Sequence, residues 1–213
     1  MEIKAELLKP YTEQEKINFI VEQNHKLRYI IEEQEDKLVA LGYTEQEKQE
    51  QERKRLNMLS MTRGDMFEAL ILSKGITKAQ IRTMIENDPT LDTITKALYL
   101  NRFDEALEFY RGYPIFDLLG DSLDITSGML DNFFETKDYH YLNKYTLEVH
   151  PTPSESVITL NGEITNKITL PYNTEVEYMV SLDNYVTQTG KLNLTENKVI
   201  EIELQPETPI TQE

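Results

Sequence analysis

The chain has 213 residues and a formal net charge of -16, with 38 acidic residues against 22 lysines and arginines. A field of this sign repels phosphate backbones and anionic lipid, so we expect no nucleic-acid partner and no membrane insertion. Because the chain contains no cysteine, disulfide bonds, cysteine-ligated zinc and thiol nucleophiles are excluded.

The hexapeptide YTEQEK occurs twice, at residues 11–16 and 43–48. In each copy a threonine precedes a glutamate by three positions, which is the spacing of a capping box, so a helix is predicted to start at Thr12 and another at Thr44. The first helix is expected to continue through INFIVEQNHKL. The segment EEQEDKLVAL is predicted to be a second short helix that ends at Gly42.

The stretch EQEKQEQERKRLNMLSM is almost wholly polar until Leu56. It is either a solvated spacer helix or a helix that needs a partner chain to cover its few apolar residues, and the spacer interpretation is favoured. Residues 1–60 are therefore interpreted as N-terminal helices that include a polar spacer helix.

Residues 61–142 are predicted to form a small helical bundle. Caps at Thr62 and Thr77 precede DMFEALILSK and KAQIRTMIEN, and further short helices are expected at TITKALYL, RFDEALEFYRG, PIFDLLGDSL and TSGMLDNFFETKDYHYL. The apolar residues expected to form the core are Phe67, Leu70, Ile71, Ile81, Ile85, Leu98, Leu107, Phe109, Ile115, Phe116, Leu119, Leu130, Phe133 and Phe134. Their burial would stabilise the bundle by roughly 1.5–3 kcal/mol each.

After Asn143 the hydrophobic period becomes two. The dipeptide Asn161-Gly162 is a strong hairpin signal, and short strands are expected at VITL, KITL, EVEYMVSL, YVTQT, KLNL and VIEIEL. Six or seven strands at this spacing predict a small antiparallel β-sandwich over residues 143–205, followed by a polar tail, 206–213. The fold class is thus multidomain, α followed by β.

The segments YTLEVHPTPSESVITLNG and LDNYVTQTGKLNL carry a resemblance that covers the whole β module, from Tyr145 to Leu204. The module resembles the PEGA and carboxypeptidase-regulatory-like group of β-sandwiches, although Asn184 stands where that group usually has glycine. The resemblance implies an Ig-like sandwich that serves adhesion or presentation.

The first half resembles small proteins encoded among the tail and fibre genes of phages and prophages. The resemblance rests on LKPYTEQEKINFIVEQNHK, on LGYTEQE, and on SMTRGDMFEALILSKGITKAQIRTMIE followed by EFYRGYPIFDLL. It implies a location in the virion after synthesis in the bacterial host cytoplasm. The partners it implies are other virion or tail proteins, with a host surface glycan or protein and a homo-oligomer left open.

The tetrapeptide Gly120-Asp121-Ser122-Leu123 matches the signature of the GDSL esterases. Their serine needs a preceding strand and a later Asp-x-x-His pair, but the preceding PIFDLL has helical spacing and no such pair follows. Ser122 is therefore interpreted as a serine near a helix end, and no catalytic residue is predicted.

Other short motifs have simple structural interpretations. Arg63-Gly64-Asp65 opens a helix, where an aspartate is favoured by the helix dipole. The three histidines, His25, His140 and His150, show no metal-binding spacing. The aspartates at 117, 121 and 124 lack the pattern of a calcium loop. No metal or cofactor is expected.

Tyrosines beside Asn, Thr and Gln can form a surface that contacts sugar or protein. Tyr139, Tyr141 and Tyr145 cluster where the helices end, and further tyrosines lie in the β module. The candidate binding residues are Tyr172, Tyr185, Thr187 and Gln188.

These observations predict a non-enzymatic virion structural protein, associated with the tail, baseplate or fibre. Its helical part would dock to the assembly and its β module would present a binding surface. Two alternatives stay open: an assembly chaperone for tail fibres that is not retained in the particle, and a GDSL-type hydrolase.

Overall fold

The structure, a computed structural model, describes residues 1–207, so most of the predicted tail at 206–213 lies outside the described residues. The chain divides into two compact units, Met1–Asn57 and Met58–Glu213. The predicted ranges 61–142 and 143–205 both lie in the second unit. The coarse prediction of helices followed by mostly antiparallel sheets is confirmed, with one additional sheet near the N-terminus.

The first unit combines a three-stranded antiparallel sheet with two helices. Its elements are β1 (Glu2–Leu8), α1 (Glu13–Ile20) with a π-helical continuation (Val21–Lys26), β2 (Ile30–Glu33), β3 (Lys37–Gly42) and α2 (Glu45–Asn57). The strand order is β1-β3-β2. Both predicted capping boxes are confirmed, because the backbone N–H groups of Glu15 and Glu47 each donate to the threonine hydroxyl three residues before, at 3.2 Å.

The helix predicted at EEQEDKLVAL is wrong, since this segment forms the end of β2, a turn and β3. The run Leu38 to Leu41 lacks helical periodicity because β3 is the central strand, and its successive side chains at Leu38, Val39 and Ala40 are all buried. A central strand covered on both faces gives a continuous apolar run, which a short helix can also give. Strand β1 was not predicted.

The core of the first unit is small. Only Leu38, Val39, Ala40 and Leu56 are buried among its apolar residues, and α1 contains no buried residue. By contrast, six large aliphatic residues are each at least 40% exposed: Ile3, Leu8, Ile17, Val21, Leu27 and Ile30. We refer to these six residues as the apolar surface of the first unit.

Helices dominate the first part of the second unit. Its elements are β4 (Ser60–Thr62), α3 (Arg63–Lys74), α4 (Lys78–Asn87), α5 (Thr93–Glu105), β5 (Glu108–Tyr110), α6 (Ile115–Ser122), α7 (Ser127–Thr136) and a 3-10 turn (Tyr139–Leu142). The caps at Thr62 and Thr77 are confirmed. The separate helix predicted at RFDEALEFYRG is wrong, because its first residues belong to α5 and its centre is β5, which pairs with β4 and buries Phe109.

Most residues predicted to form the bundle core are buried, and Phe67 is partly buried against it. Ile71, Leu98 and Leu107 are exceptions, with exposed fractions of 50%, 63% and 81%. Ile71 follows the buried Leu70 and so points away from the core, while α5 buries a single residue, Phe103, on the side opposite Leu98. Helical spacing identifies an apolar face of a helix, but it does not show whether another element packs against that face.

One charged side chain lies inside this helical core. Arg111 is 1% exposed, and its Nε donates to Asp131 Oδ1 at 2.7 Å. Its Nη2 donates to Asp117 Oδ1 at 2.9 Å and to Ser127 Oγ at 2.6 Å. Because a buried guanidinium must be paired, Asp131, which is also buried, is the essential partner.

The β module contains seven strands: β6 (Lys144–Thr152), β7 (Val157–Leu160), β8 (Glu163–Ile164), β9 (Lys167–Pro171), β10 (Thr174–Ser181), β11 (Gln188–Leu194) and β12 (Lys198–Glu203). They form two sheets, ordered β11-β10-β7-β8 and β12-β6-β9. Leu147 and Val149 of one sheet share a hydrophobic core with Leu160, Val176 and Val180 of the other.

Details of the module both confirm and correct the prediction. The Asn161-Gly162 hairpin is confirmed, with φ of 50° and 83° at the two turn residues, as a type I′ turn requires. YVTQT and KLNL are not two strands separated by Gly190, because β11 runs through that glycine. The module is also not wholly antiparallel, since β12 pairs with β6 in parallel.

Candidate functional site

Tyr172 lies where the β module meets the helices of the second unit. Its backbone N–H donates to the carbonyl of Asn143 at 3.0 Å. Three aromatic rings surround its own: Tyr141 at 5.0 Å, edge to face, His140 at 5.4 Å and Tyr145 at 6.0 Å between ring centroids. Of the three tyrosines predicted to cluster at this boundary, Tyr141 and Tyr145 contact Tyr172, whereas Tyr139 stacks on His140.

Next to Tyr172 is an open cleft of about 350 Å³, which we call the junction cleft. It is lined by Thr126, Gly128, Met129, Asn132, Tyr141, Pro171, Tyr172, Asn173 and Thr174. None of these residues carries a charge, in a chain where 28% of residues do. Four other clefts on residues 1–207 each include at least one acidic or basic side chain.

Three chain segments line the junction cleft: the start of α7, the 3-10 turn with Tyr141, and the turn between β9 and β10. On one side Thr126 caps α7 through its hydroxyl, which accepts the backbone N–H of Met129 at 3.3 Å, and Gly128 and Met129 of the first turn line the cleft. On the other side the turn between β9 and β10 places Asn173 at a positive φ of 60°, a conformation that asparagine tolerates. The side-chain amide of Asn173 reaches Tyr141 Oη at 3.4 Å and links the two sides.

The surroundings of Tyr172 disfavour its ionisation. Burial raises the pKa of the Tyr172 hydroxyl, and the charge of Asp138 raises it further. Burial also raises the pKa of Asp138, but hydrogen bonds from the backbone N–H and the ring of His140 outweigh it, so this pKa lies below its usual range. An ionised Asp138 beside the cleft disfavours anionic ligands.

The other predicted binding residues lie elsewhere. Tyr185, Thr187 and Gln188 follow the far end of β10, whose eight residues span roughly 20–25 Å from the Tyr172 end. There Tyr185 pairs with Pro206, and the backbone N–H of Glu207 donates to the carbonyl of Asn184 at 2.8 Å. The four candidate residues thus occupy two opposite ends of the module, and a binding role for either end stays a prediction.

No protein-family model matches the chain, and no solved structure matches it significantly. Within residues 1–207, no helix combines the length and the apolarity that a membrane crossing requires. The same residues contain no cluster of three or more His, Asp or Glu side chains arranged to hold a metal ion.

The histidines and the short motifs occupy ordinary structural positions. His150 lies on an outer sheet face between Glu148 and Glu201, at 2.9 and 3.0 Å, and these carboxylates raise its pKa. Asp65 lies in the first turn of α3, where its backbone N–H donates to the Thr62 hydroxyl at 3.1 Å. The Arg63-Gly64-Asp65 sequence is thus a helix start.

Ser122 ends α6 and is exposed, and its hydroxyl donates to the carbonyl of Leu118 at 3.3 Å. The segment before it is helical, so the strand that precedes a GDSL serine is replaced by a helix. Gly120 has a packing role instead. A Cβ at this position would lie 2.6 Å from the backbone oxygen of Ile125, whose N–H donates to the Gly120 carbonyl at 2.8 Å.

We expect the Gly120→Ala variant to be destabilised by about 1–3 kcal/mol, because the contacted atom belongs to the backbone and cannot rotate away. The matched variant Ser122→Ala, two residues later on the surface, should change the free energy of unfolding by less than about 0.5 kcal/mol. Urea unfolding followed by circular dichroism measures both. Equal stability of the two variants would contradict the packing role of Gly120.

Sequence reasoning found Tyr172 and Tyr141 but missed the contribution of α7 to the cleft. Gly128 and Asn132 lie one helical turn apart on α7. The available signal was the Thr126 cap, which fixes where the helix begins and hence which residues follow on its first turns. The fold was needed to show that these turns face the β9–β10 turn.

Proposed function

We propose that this protein is a non-enzymatic structural component of a phage particle, in which the first unit docks to the assembly and the β module presents a binding surface. The observation that supports it most directly is the apolar surface of the first unit. The unit has 57 residues and buries only four apolar residues, while six aliphatic residues are exposed. Such a unit gains stability when a partner covers the exposed residues.

The apolar surface of the first unit has a definite geometry. Ile3 and Ile30 both lie opposite Leu41, so the three residues form a row across the three strands of the sheet. Ile17 and Val21 are four positions apart on one face of α1 and its continuation, with exposed fractions of 47% and 40%. A row on a sheet and a helical stripe are both surfaces that protein partners cover.

The β module supports the presenting half of the proposal. Its two sheets with a shared core agree with an Ig-like sandwich of the PEGA type, which we propose as its family of folds. Modules of this architecture recur in proteins that adhere or present, although a fold by itself does not determine a function. In this proposal the β module presents a binding surface while the first unit docks to the assembly.

Fractionation of the phage whose genome encodes the chain tests this proposal. The wild-type protein should sediment with purified particles. The double variant Ile17→Glu/Val21→Glu should remain in the lysate, because charges at these two positions oppose burial of this helix face. The matched control Ile164→Glu/Val199→Glu places two charges on exposed strand positions, 82% and 56% exposed, and should be incorporated normally.

Absence of the wild-type protein from purified particles would overturn the virion assignment. If it then co-purified with a fibre subunit from the lysate, the assembly-chaperone function would replace it. Incorporation of both double variants would instead contradict the assignment of docking to the first unit.

A further inference from the structure

We propose that the junction cleft binds a neutral saccharide. The inference rests on the proposed function in one respect, since it names the ligand class of a module whose presenting role is itself proposed. It is carried by the composition and the position of the cleft: two tyrosine rings, two asparagine amides and two threonine hydroxyls converge on about 350 Å³ without a single charged side chain.

The aromatic part of the cleft suits the face of a sugar ring. Tyr141 and Tyr172 meet edge to face, with their centroids 5.0 Å apart and their planes at 88°. Such a corner offers one ring face and one ring edge to a ligand. The C–H groups on one face of a pyranose are the apolar surface that packs against an aromatic ring, so the corner can hold a saccharide without a charge.

The polar part of the cleft suits hydroxyl groups. Asparagine amides donate and accept, and threonine and tyrosine hydroxyls do both with one group, which matches the mixed donors and acceptors on the edge of a sugar. Asn132 on α7 and Thr126 at its N-cap are exposed, and Asn173 and Thr174, at the β9–β10 turn and the start of β10, line the same cleft. The volume is at the lower end of small-molecule sites, about 300–1,000 Å³, so the ligand segment is short.

Electrostatics select against the competing ligands. The net charge of -16 and the ionised Asp138 beside Tyr172 disfavour acidic sugars, nucleotides and other phosphates. A proline-rich peptide would need an extended aromatic groove, whereas the cleft has a single corner of two perpendicular rings. A neutral saccharide is the ligand class that matches both the aromatic corner and the uncharged polar side chains of the cleft.

The test uses the full chain with a fixed set of probes. The neutral probes are maltotriose, cellotriose and triacetylchitotriose, the acidic probes are sialyllactose and trigalacturonic acid, and the last probe is a decaproline peptide. Saturation-transfer difference NMR detects binding and isothermal titration calorimetry measures Kd. At least one neutral trisaccharide should bind, more tightly than the acidic probes and the peptide.

Two variants locate the binding. Tyr172→Ala should weaken it by about tenfold or more, as removal of a central aromatic contact does, while Tyr43→Ala, at a tyrosine that is 40% exposed and does not line the cleft, should leave Kd unchanged. Gly128→Leu should abolish binding without loss of stability, because Gly128 lines the cleft and a Cβ at this position meets no atom within 4 Å, which leaves room for the added side chain to occupy the space of the ligand. Gly64→Leu is the matched control, since Gly64 is likewise the second residue of a helix and lies outside the cleft.

Three results would overturn the proposal: no binding by any neutral probe, stronger binding of an acidic probe or of the peptide, or binding that Gly128→Leu and Tyr172→Ala both leave intact. The melting temperature of the Gly128→Leu variant should equal or exceed that of the wild type, so a loss of binding in this variant would not be due to misfolding. Incorporation into particles is measured separately, so failure of this proposal and failure of the docking proposal are distinguishable.

Discussion

Replacing Asp131 with alanine is expected to lower the free energy of unfolding by about 3–5 kcal/mol, because the substitution leaves the guanidinium of Arg111 buried without its main counter-charge. Arg111 is 1% exposed and donates to Asp131 at 2.7 Å, inside the helical core. The remaining partners, Asp117 and Ser127, both bind a single nitrogen, Nη2. They cannot replace the bond that Nε loses.

The variant Asp117→Ala is the matched control, since it removes the other carboxylate from the same arginine. The Asp117 side chain is 56% exposed, so water can replace it, and the expected loss is at most about 1 kcal/mol. Urea titrations monitored by circular dichroism give both free energies, provided that the m-values agree. The assignment of Asp131 as the essential partner fails if both variants lose the same stability.

Replacing Phe109 with alanine is expected to lower the free energy of unfolding by about 3–5 kcal/mol, because it removes the ring at the centre of the aromatic core and leaves a cavity. Phe109 is 1% exposed, and its ring contacts those of Phe67, Phe103 and Phe116, with centroids 6.0, 6.0 and 5.6 Å away. Four elements meet at this one side chain.

The variant Leu107→Ala is its control. Leu107 is only two residues earlier but is 81% exposed, so the same kind of truncation should change stability by less than about 0.5 kcal/mol. Thermal unfolding of the two variants beside the wild type separates the outcomes. A loss in Leu107→Ala as large as that in Phe109→Ala would show that Leu107 is covered in solution, as by a partner copy.

The features that the sequence predicted correctly are those encoded by neighbouring residues. A capping box needs two residues three positions apart, so Thr12 with Glu15 and Thr77 with Gln80 could be found without the fold. The Asn161-Gly162 hairpin is equally local. The period of two after Asn143 predicted the β module for the same reason.

The features that were missed depend on partners distant in the chain. Strand β3 is the central strand because β1 and β2 pair with its two edges, and the residue string LVAL does not contain that information. Leu98 and Leu107 were assigned to the core from the same apolar spacing as the buried residues, yet their side chains are 63% and 81% exposed. In the candidate site, Tyr172 could be found as an aromatic residue, but its neighbours on α7 could not.

The parallel pairing of β12 with β6 also constrains the order of folding during synthesis. The first strand of the module, β6, cannot complete its pairing until the last strand, β12, has been synthesised, since Glu201 of β12 pairs with His150 of β6. Until the ribosome has released the segment around Lys198 to Glu203, one edge of β6 has no partner and part of the module core is open to water. The helices of the second unit precede this segment and contain mainly local contacts, which form quickly, so they can fold while the module is still incomplete. The nascent helices would then give the unfinished sheet a folded neighbour at its Tyr172 end.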